Sequence, residues 1–183
     1  METKTDLANW ALGPVLGVGS ITSIDEDSEL AAACRLALDN SIDTVLRVGA
    51  WPSVTTRAVL VPFGTPIPDW KGSFQAPTDM IRPLGLVSCA QWARPEGTLI
   101  YTDDEAPELL YIFRPTAFGG QSDILCRAFA CQLAVNIAMP VTGDVSKVQL
   151  AAAMLDSALA EARTEAATTT SGPVTSEAGW GDL

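Results

Sequence analysis

Apolar side chains recur at helical spacing in two long stretches of the chain, on either side of a middle region where that spacing is lost. From Glu29 to Val48, the positions Leu30, Cys34, Ala37, Leu38, Ile42, Val45 and Leu46 predict an amphipathic helix of about five turns with one face toward a core. The period returns at Gln121, where Ile124, Leu125, Ala128, Phe129, Cys131, Ala134, Val135 and Ala138 mark a wide apolar arc. Arg127, Gln132 and Asn136 are nearly its only polar positions, so this helix is expected to be buried on most sides. The run "MPVTGD", Met139 to Asp144, is expected to break it. A last helix is predicted from Asp144 or Val145 to about Ala166, through Val148, Ala151, Ala152, Leu155, Leu159 and Ala162. A shorter one, Thr3 to Leu12, opens the chain and is expected to stop at Gly13-Pro14, because proline lacks the N–H and glycine commonly follows a helix end.

The middle region has a different texture. After Gly49, "TTRAVLVP" is β-branched and strand-like, and "FGTPIPDWKG" reads as loop because its prolines interrupt any ladder. "DMIRPLGLVSCAQWA", "GTLIYTDD" and "PELLYIFRP" read as further strands, the last two separated by an acidic turn at Asp103-Asp104-Glu105. The reading is a sheet of about four strands inserted between helices.

The glycines of "ALGPVLGVGS" invite a phosphate-loop reading. No strand precedes them, and no Lys followed by Ser or Thr closes the run, so they read as the turn between the first two helices. In "ITSIDEDSE" either Ser23 or Asp25 can cap the long helix, with acids crowding its first turn where the helix dipole favours them. Asp43 and Arg47 are spaced for a weak i, i+4 pair.

Composition narrows the function. With 22 acidic against 11 basic residues, the net charge of −11 opposes the counterion-release binding that nucleic-acid proteins use. Trp51, Trp70 and Trp92 then read as packing, not as base-stacking platforms. The absence of histidine removes the commonest general base and transition-metal ligand. The cysteines Cys34, Cys89, Cys126 and Cys131 form no C-x-x-C. Cys126 and Cys131 stand roughly 140° apart on a helix of about 3.6 residues per turn, so the four read as buried free thiols in a reducing compartment. Asp103 to Glu105 are the one candidate for a cation or acid/base site, and a solvated turn is the favoured reading. No cofactor, catalytic or metal site is assigned. Leu7 to Val18 lacks the charged start and clean apolar run of a secretion signal, and no span reads as the ~20 apolar residues of a membrane helix. A soluble protein made in a cytoplasm is expected. The terminal "ATTTSGPVTSEAGWGDL" is rich in Thr, Ser and Gly, and is expected to be disordered alone.

Taken in order, "IxSIDEDSExAxxCxxxLDxxxDxVLRxxxW", the inserted strands including Pro77-Thr78-Asp79-Met80-Ile81-Arg82, and "LCRAFACQLAVNIAMPVTGDVSKVQLAAAMLDSALAEAR" resemble the tail tubular protein A family. These are the head-to-tail adaptors of short-tailed phages. The likeness covers roughly residues 7 to 166 and rests on the order and spacing of the motifs. It departs from the family pattern at Ala76, which precedes Pro77 in place of the usual aromatic entry, and at Pro14.

The resemblance implies an α+β protein: an antiparallel bundle of about four helices (residues 1–51 and 118–166), an inserted small antiparallel β domain (52–117) and a flexible C-terminal docking arm (167–183). It implies a structural virion protein at the neck, a dodecameric ring joining the portal to the tail nozzle, with DNA passing through without specific binding and no membrane involved. Within the arm, Pro173, Val174, Trp180 and Leu183 are the candidate portal contacts. A small metal-dependent enzyme using Asp103 to Glu105, or an intracellular binding module, are the alternatives.

Overall fold

Twenty residues, Glu29–Val48, form α2, as the apolar spacing predicts. Its cap is neither predicted residue. Ser28, in extended conformation, turns its Oγ to accept the N–H of Ala31 at 3.2 Å, which satisfies one of the orphan donors of the first turn. The acids upstream order the approach instead. Glu26 accepts from the N–H groups of Thr22 (2.7 Å) and Ser23 (3.3 Å) and from the Ser28 hydroxyl (2.8 Å). These bonds, the Ser28 one foremost, lower its carboxyl pKa. Asp43 is bound from across the fold: Arg114, just past the last strand, donates Nε to its Oδ1 at 2.8 Å and Nη2 to its other oxygen. A two-pronged guanidinium pair is favoured over the weak pair with exposed Arg47.

The computed structural model describes residues 1–94 and 98–170, the last of these by its backbone alone. Its first helix, α1 (Lys4–Trp10), is closed at the front by a capping box, Thr3 Oγ1 accepting from Asp6 N–H and Asp6 accepting from Thr3 N–H. The chain does not stop at Gly13-Pro14. It continues through a π-helical segment, Ala11–Leu16, with Pro14 inside it. Ala11, Leu12, Val15 and Leu16 are all buried there, so burial outweighs the local preference of proline to end a helix. Reversal comes at Gly17 in the left-handed region (φ 69°), where its N–H meets the Gly13 carbonyl at 2.9 Å. Gly13 therefore belongs to the helix, and Gly17 and Gly19 to the turn. Asn9 holds the returning chain, bonding both the N–H (2.7 Å) and the carbonyl (2.9 Å) of Ile21.

Helix α3 (Asp123–Thr142) is the centre of the helical layer. It packs against α1, the π segment, α2 and α4 (Val145–Thr170), which explains why it is apolar almost all round. It runs through Pro140 and ends at Gly143, φ 65°, because a proline in the last turn removes only one helical bond. By length and composition α3 could cross a membrane, contrary to the sequence expectation, and 56% of its most apolar window is buried inside the protein. Its few polar groups are matched. Asn136 donates to Ser41 Oγ at 2.8 Å, and Ser41 donates to the Ala37 carbonyl at 2.7 Å. Arg127 lies 3.6 Å from Glu161 of α4. Helix α4 lays Ala151, Ala158 and Ala162 into the interface, small residues that allow close approach.

Between α2 and α3 the described residues form seven strands in two antiparallel sheets, where one sheet of about four was expected. The inner sheet has the order β1 (Thr55–Val59), β7 (Glu108–Phe113), β4 (Met80–Leu86). The outer has the order β2 (Val61–Pro62), β3 (Gly72–Gln75), β6 (Leu99–Thr102), β5 (Trp92–Ala93). "TTRAVLVP" is thus split at Leu60, which turns into the space between the sheets. Pro77-Thr78-Asp79 is a turn leading into β4, not part of the strand. Alternation along β7 divides its side chains: Ile112 joins the helical core, whereas Leu109 and Tyr111 face the outer sheet. Irregularities between Met80 and Arg82 and between Pro83 and Gly85 shift the β4 register. They place Ile81 and Leu84 on the helical side and Leu86 on the other. The result is three layers, with the inner sheet shared by two cores.

Candidate functional site

Pro173, Val174, Trp180 and Leu183, the predicted contact residues, lie outside the described residues. The segment from which they depart is described. Helix α4 continues past Ala166 to Thr170, so the stretch assigned to the arm from residue 167 begins as helix.

Beside the last turns of α4 lies a groove of about 350 Å³. One wall is the helix itself, where Ala162, Glu165, Ala166 and Thr169 follow i, i+3, i+4, i+7 spacing and so share a face. The facing wall is Trp51 and Pro52, at the 3-10 turn Pro52–Val54 that joins α2 to β1, and the floor is Leu125 near the start of α3. This wall is held rigidly. The Trp51 ring is buried, its Nε1–H donates to the Val45 carbonyl at 2.9 Å, and its own carbonyl accepts from Thr55 Oγ1 at 2.7 Å. Ser122 fixes the far side: its hydroxyl caps α3 by accepting the Ile124 N–H at 3.2 Å and donates to the Glu165 carboxylate. The groove is therefore apolar with one carboxylate, suited to a flat apolar group that carries a hydrogen-bond donor.

The sequence reading missed this groove because the helical face was followed only to Ala162. Ala166 and Thr169 extend the same stripe, and Trp51-Pro52 supplies the opposite wall only when the fold brings it there.

The acidic turn is occupied by its own surroundings. Asp103 accepts the Lys71 N–H at 2.9 Å, and Asp104 accepts the Ser88 hydroxyl at 2.6 Å and the Ala106 N–H at 3.1 Å. The Ser88 bond, with help from the Ala106 N–H, lowers the Asp104 carboxyl pKa. Among the described residues no group of three or more Cys, Asp or Glu side chains could hold a metal ion.

The four cysteines are free thiols. Cys34, Cys126 and Cys131 are buried, and burial pushes each up to about 11. Cys89 is exposed, which corrects the reading of all four as buried. It sits in a tight turn after β4 with φ 57°.

Compared with models of known protein families and with curated proteins, the chain matches none. The functional reading therefore rests on the residues, the motifs quoted above and the fold. Trp51, the last residue of the first motif, and Leu125, the first of the second, both line the groove, together with Ala162 near the second motif's end.

Proposed function

We propose that this chain is a structural virion protein, a head-to-tail adaptor whose helical layer forms a ring beneath a portal and whose C-terminal arm docks on it. The observation that carries the reading is the placement of the quoted motifs. They fall on α2, α3 and α4, in that order, with β structure inserted between α2 and α3. The resemblance implies this order of elements, and the packing of the helices as an antiparallel bundle is part of the proposal.

Two further features support it. The net charge of −11 suits a wall past which DNA must slide without adhering, since like charge suppresses sticking. The acids most suggestive of chemistry, Asp103 and Asp104, are used to hold turns. In this reading the partners are the portal, the tail nozzle and neighbouring copies, with the ring as a dodecamer, and the setting is the virion neck after assembly in the host cytoplasm.

The test is binding to the portal ring encoded with this chain, followed by sedimentation. The free chain should sediment as a monomer, because its described cores are closed within one copy, and should join the portal as a ring. Trp180→Ala should weaken that binding by more than tenfold, since truncating a buried indole at an interface costs about 2 kcal/mol or more. Absence of binding between folded chain and assembled portal would remove the adaptor reading.

A further inference from the structure

We infer that the groove beside the end of α4 is a docking site for the chain's own C-terminal segment, with Trp180 as the side chain that fills it while no partner holds the arm. The inference does not require the portal to be that partner.

Four observations converge. The groove is apolar and large enough for a small organic group, at about 350 Å³. Thr169, one residue before the last described one, is among the residues that line it. Residues 171–183 carry one large aromatic, Trp180, set between Gly179 and Gly181, which leave the backbone free to turn. Trp180 stands ten positions after Thr170, a reach of up to ~33 Å when extended. The groove runs only about 10 Å along α4, from Ala162 to Thr169, at about 1.5 Å per residue. Gly172-Pro173 is a sequence that commonly follows a helix end.

The chemistry matches as well. An indole is a flat apolar body with a single N–H donor, and it needs an acceptor when buried. The groove offers Trp51, Pro52, Leu125 and Ala166 to the ring face and the Glu165 carboxylate to the N–H. Tethering makes the contact intramolecular, with an effective concentration on the order of millimolar for a short flexible connection, so even weak docking is populated. A partner must then displace the indole, which sets a threshold against premature engagement.

The experiment is fluorine NMR of the full chain carrying fluorotryptophan at its five tryptophans. The Trp180 signal is assigned by its loss in Trp180→Phe and compared with the same residue in a synthetic peptide of residues 171–183. The expected result is a Trp180 shift displaced from the peptide value and unchanged on dilution. It should return toward that value in Ala166→Glu, which puts a charge on the groove wall, while the signals of Trp10, Trp70 and Trp92, outside the groove, hold. Thr169→Glu, at the exposed lip, is the second variant should Ala166→Glu disturb the fold, and it should act in the same direction. A Trp180 shift equal to that of the peptide overturns the inference. So does a displaced shift that both variants leave unchanged, which would place the indole elsewhere. A displacement that fades on dilution overturns it too, by assigning the groove to the arm of a second copy.

Discussion

The helical layer and the outer sheet each close an apolar core, but on different terms. Around α3, the side chains of Leu125, Phe129, Leu133, Ala134 and Ile137 are buried to within 2% of full exclusion, and α1, the π segment, α2, α4 and the inner sheet all contribute. The outer sheet closes its core with Leu60, Phe74, Ala76 and Ile100 against Leu86, Leu109 and Tyr111 of the inner sheet. Its β2 edge stays open: Val61 there is 67% exposed. The difference follows from geometry. A helix packed against four other elements keeps little of its apolar surface free, whereas a strand of two residues at a sheet edge has little to cover it. Stability should therefore concentrate in the helices, with the outer sheet opening first.

The strongest way to break this comparison is to remove a large side chain from each core. Phe129→Ala removes a fully buried ring that packs edge-on against Phe118, with centroids 6.1 Å apart. It should cost about 3–5 kcal/mol and lower the denaturant midpoint of the whole protein. Phe74→Ala should act mainly on the outer sheet, visible in hydrogen exchange as faster opening of β2, β3, β5 and β6 while α3 keeps its protection. Equal loss of protection in α3 would mean that the two cores form one cooperative unit.

A smaller effect is expected at the polar link between α2 and α3. Ser41→Ala removes the acceptor of Asn136 and should cost about 0.5–1.5 kcal/mol, since Asn136 is exposed and water can take up its amide. Ser41→Ala together with Asn136→Leu should cost less than the two single changes added together, and an additive result would show that the bond contributes nothing to stability.

The pH response sharpens the contrast at still smaller scale. Hydrogen bonds from the backbone N–H groups of Glu2 and then Thr3 lower the Asp6 carboxyl pKa. A carboxyl held below its ordinary value adds stability above that value, and the contribution is lost as pH falls through the folded pKa. Glu26 and Asp104 shift the same way. Stability should thus be flat near neutrality and decline below about pH 4. Asp6→Asn should shallow the decline, as read by melting temperature against pH. The buried thiols act oppositely. They stay protonated in the fold while the unfolded chain ionises, so stability should also fall as pH rises above about 9, towards about 11.

The smallest perturbation is chemical labelling. A thiol reagent at neutral pH should modify Cys89 alone in the native protein and all four cysteines after unfolding. Rapid native labelling of Cys126 or Cys131 would contradict the closed helical core.

Much of this architecture was legible in the residue pattern. The bounds of α2, the apolar arc of α3, the register of α4 and the presence of β structure between them follow from periodicity, because each reports which face meets a core. What misled was local chemistry read in isolation. Pro14 and Pro140 look like helix stops, yet the first is carried through by burial of Ala11, Leu12, Val15 and Leu16, and the second lies so near the helix end that little is lost. The cap went to Ser28 because Glu26 had already engaged the residues before it. Asp43 found Arg114, which stands far away in sequence and so leaves no trace in spacing.

The sequence by itself thus determined where the long helices run, which face of each is apolar and that β structure lies between α2 and α3, since those depend on neighbours within a few residues, though not β3 (Gly72–Gln75), which was not read as a strand. Only the tertiary structure decided that the strands divide into two sheets, with β7 of the inner one facing two cores, that a guanidinium beyond β7 binds α2, and that Trp51, Leu125 and Ala166 line one groove. Those outcomes depend on side chains brought together from distant parts of the chain, where packing and desolvation set the energies and no local period encodes them.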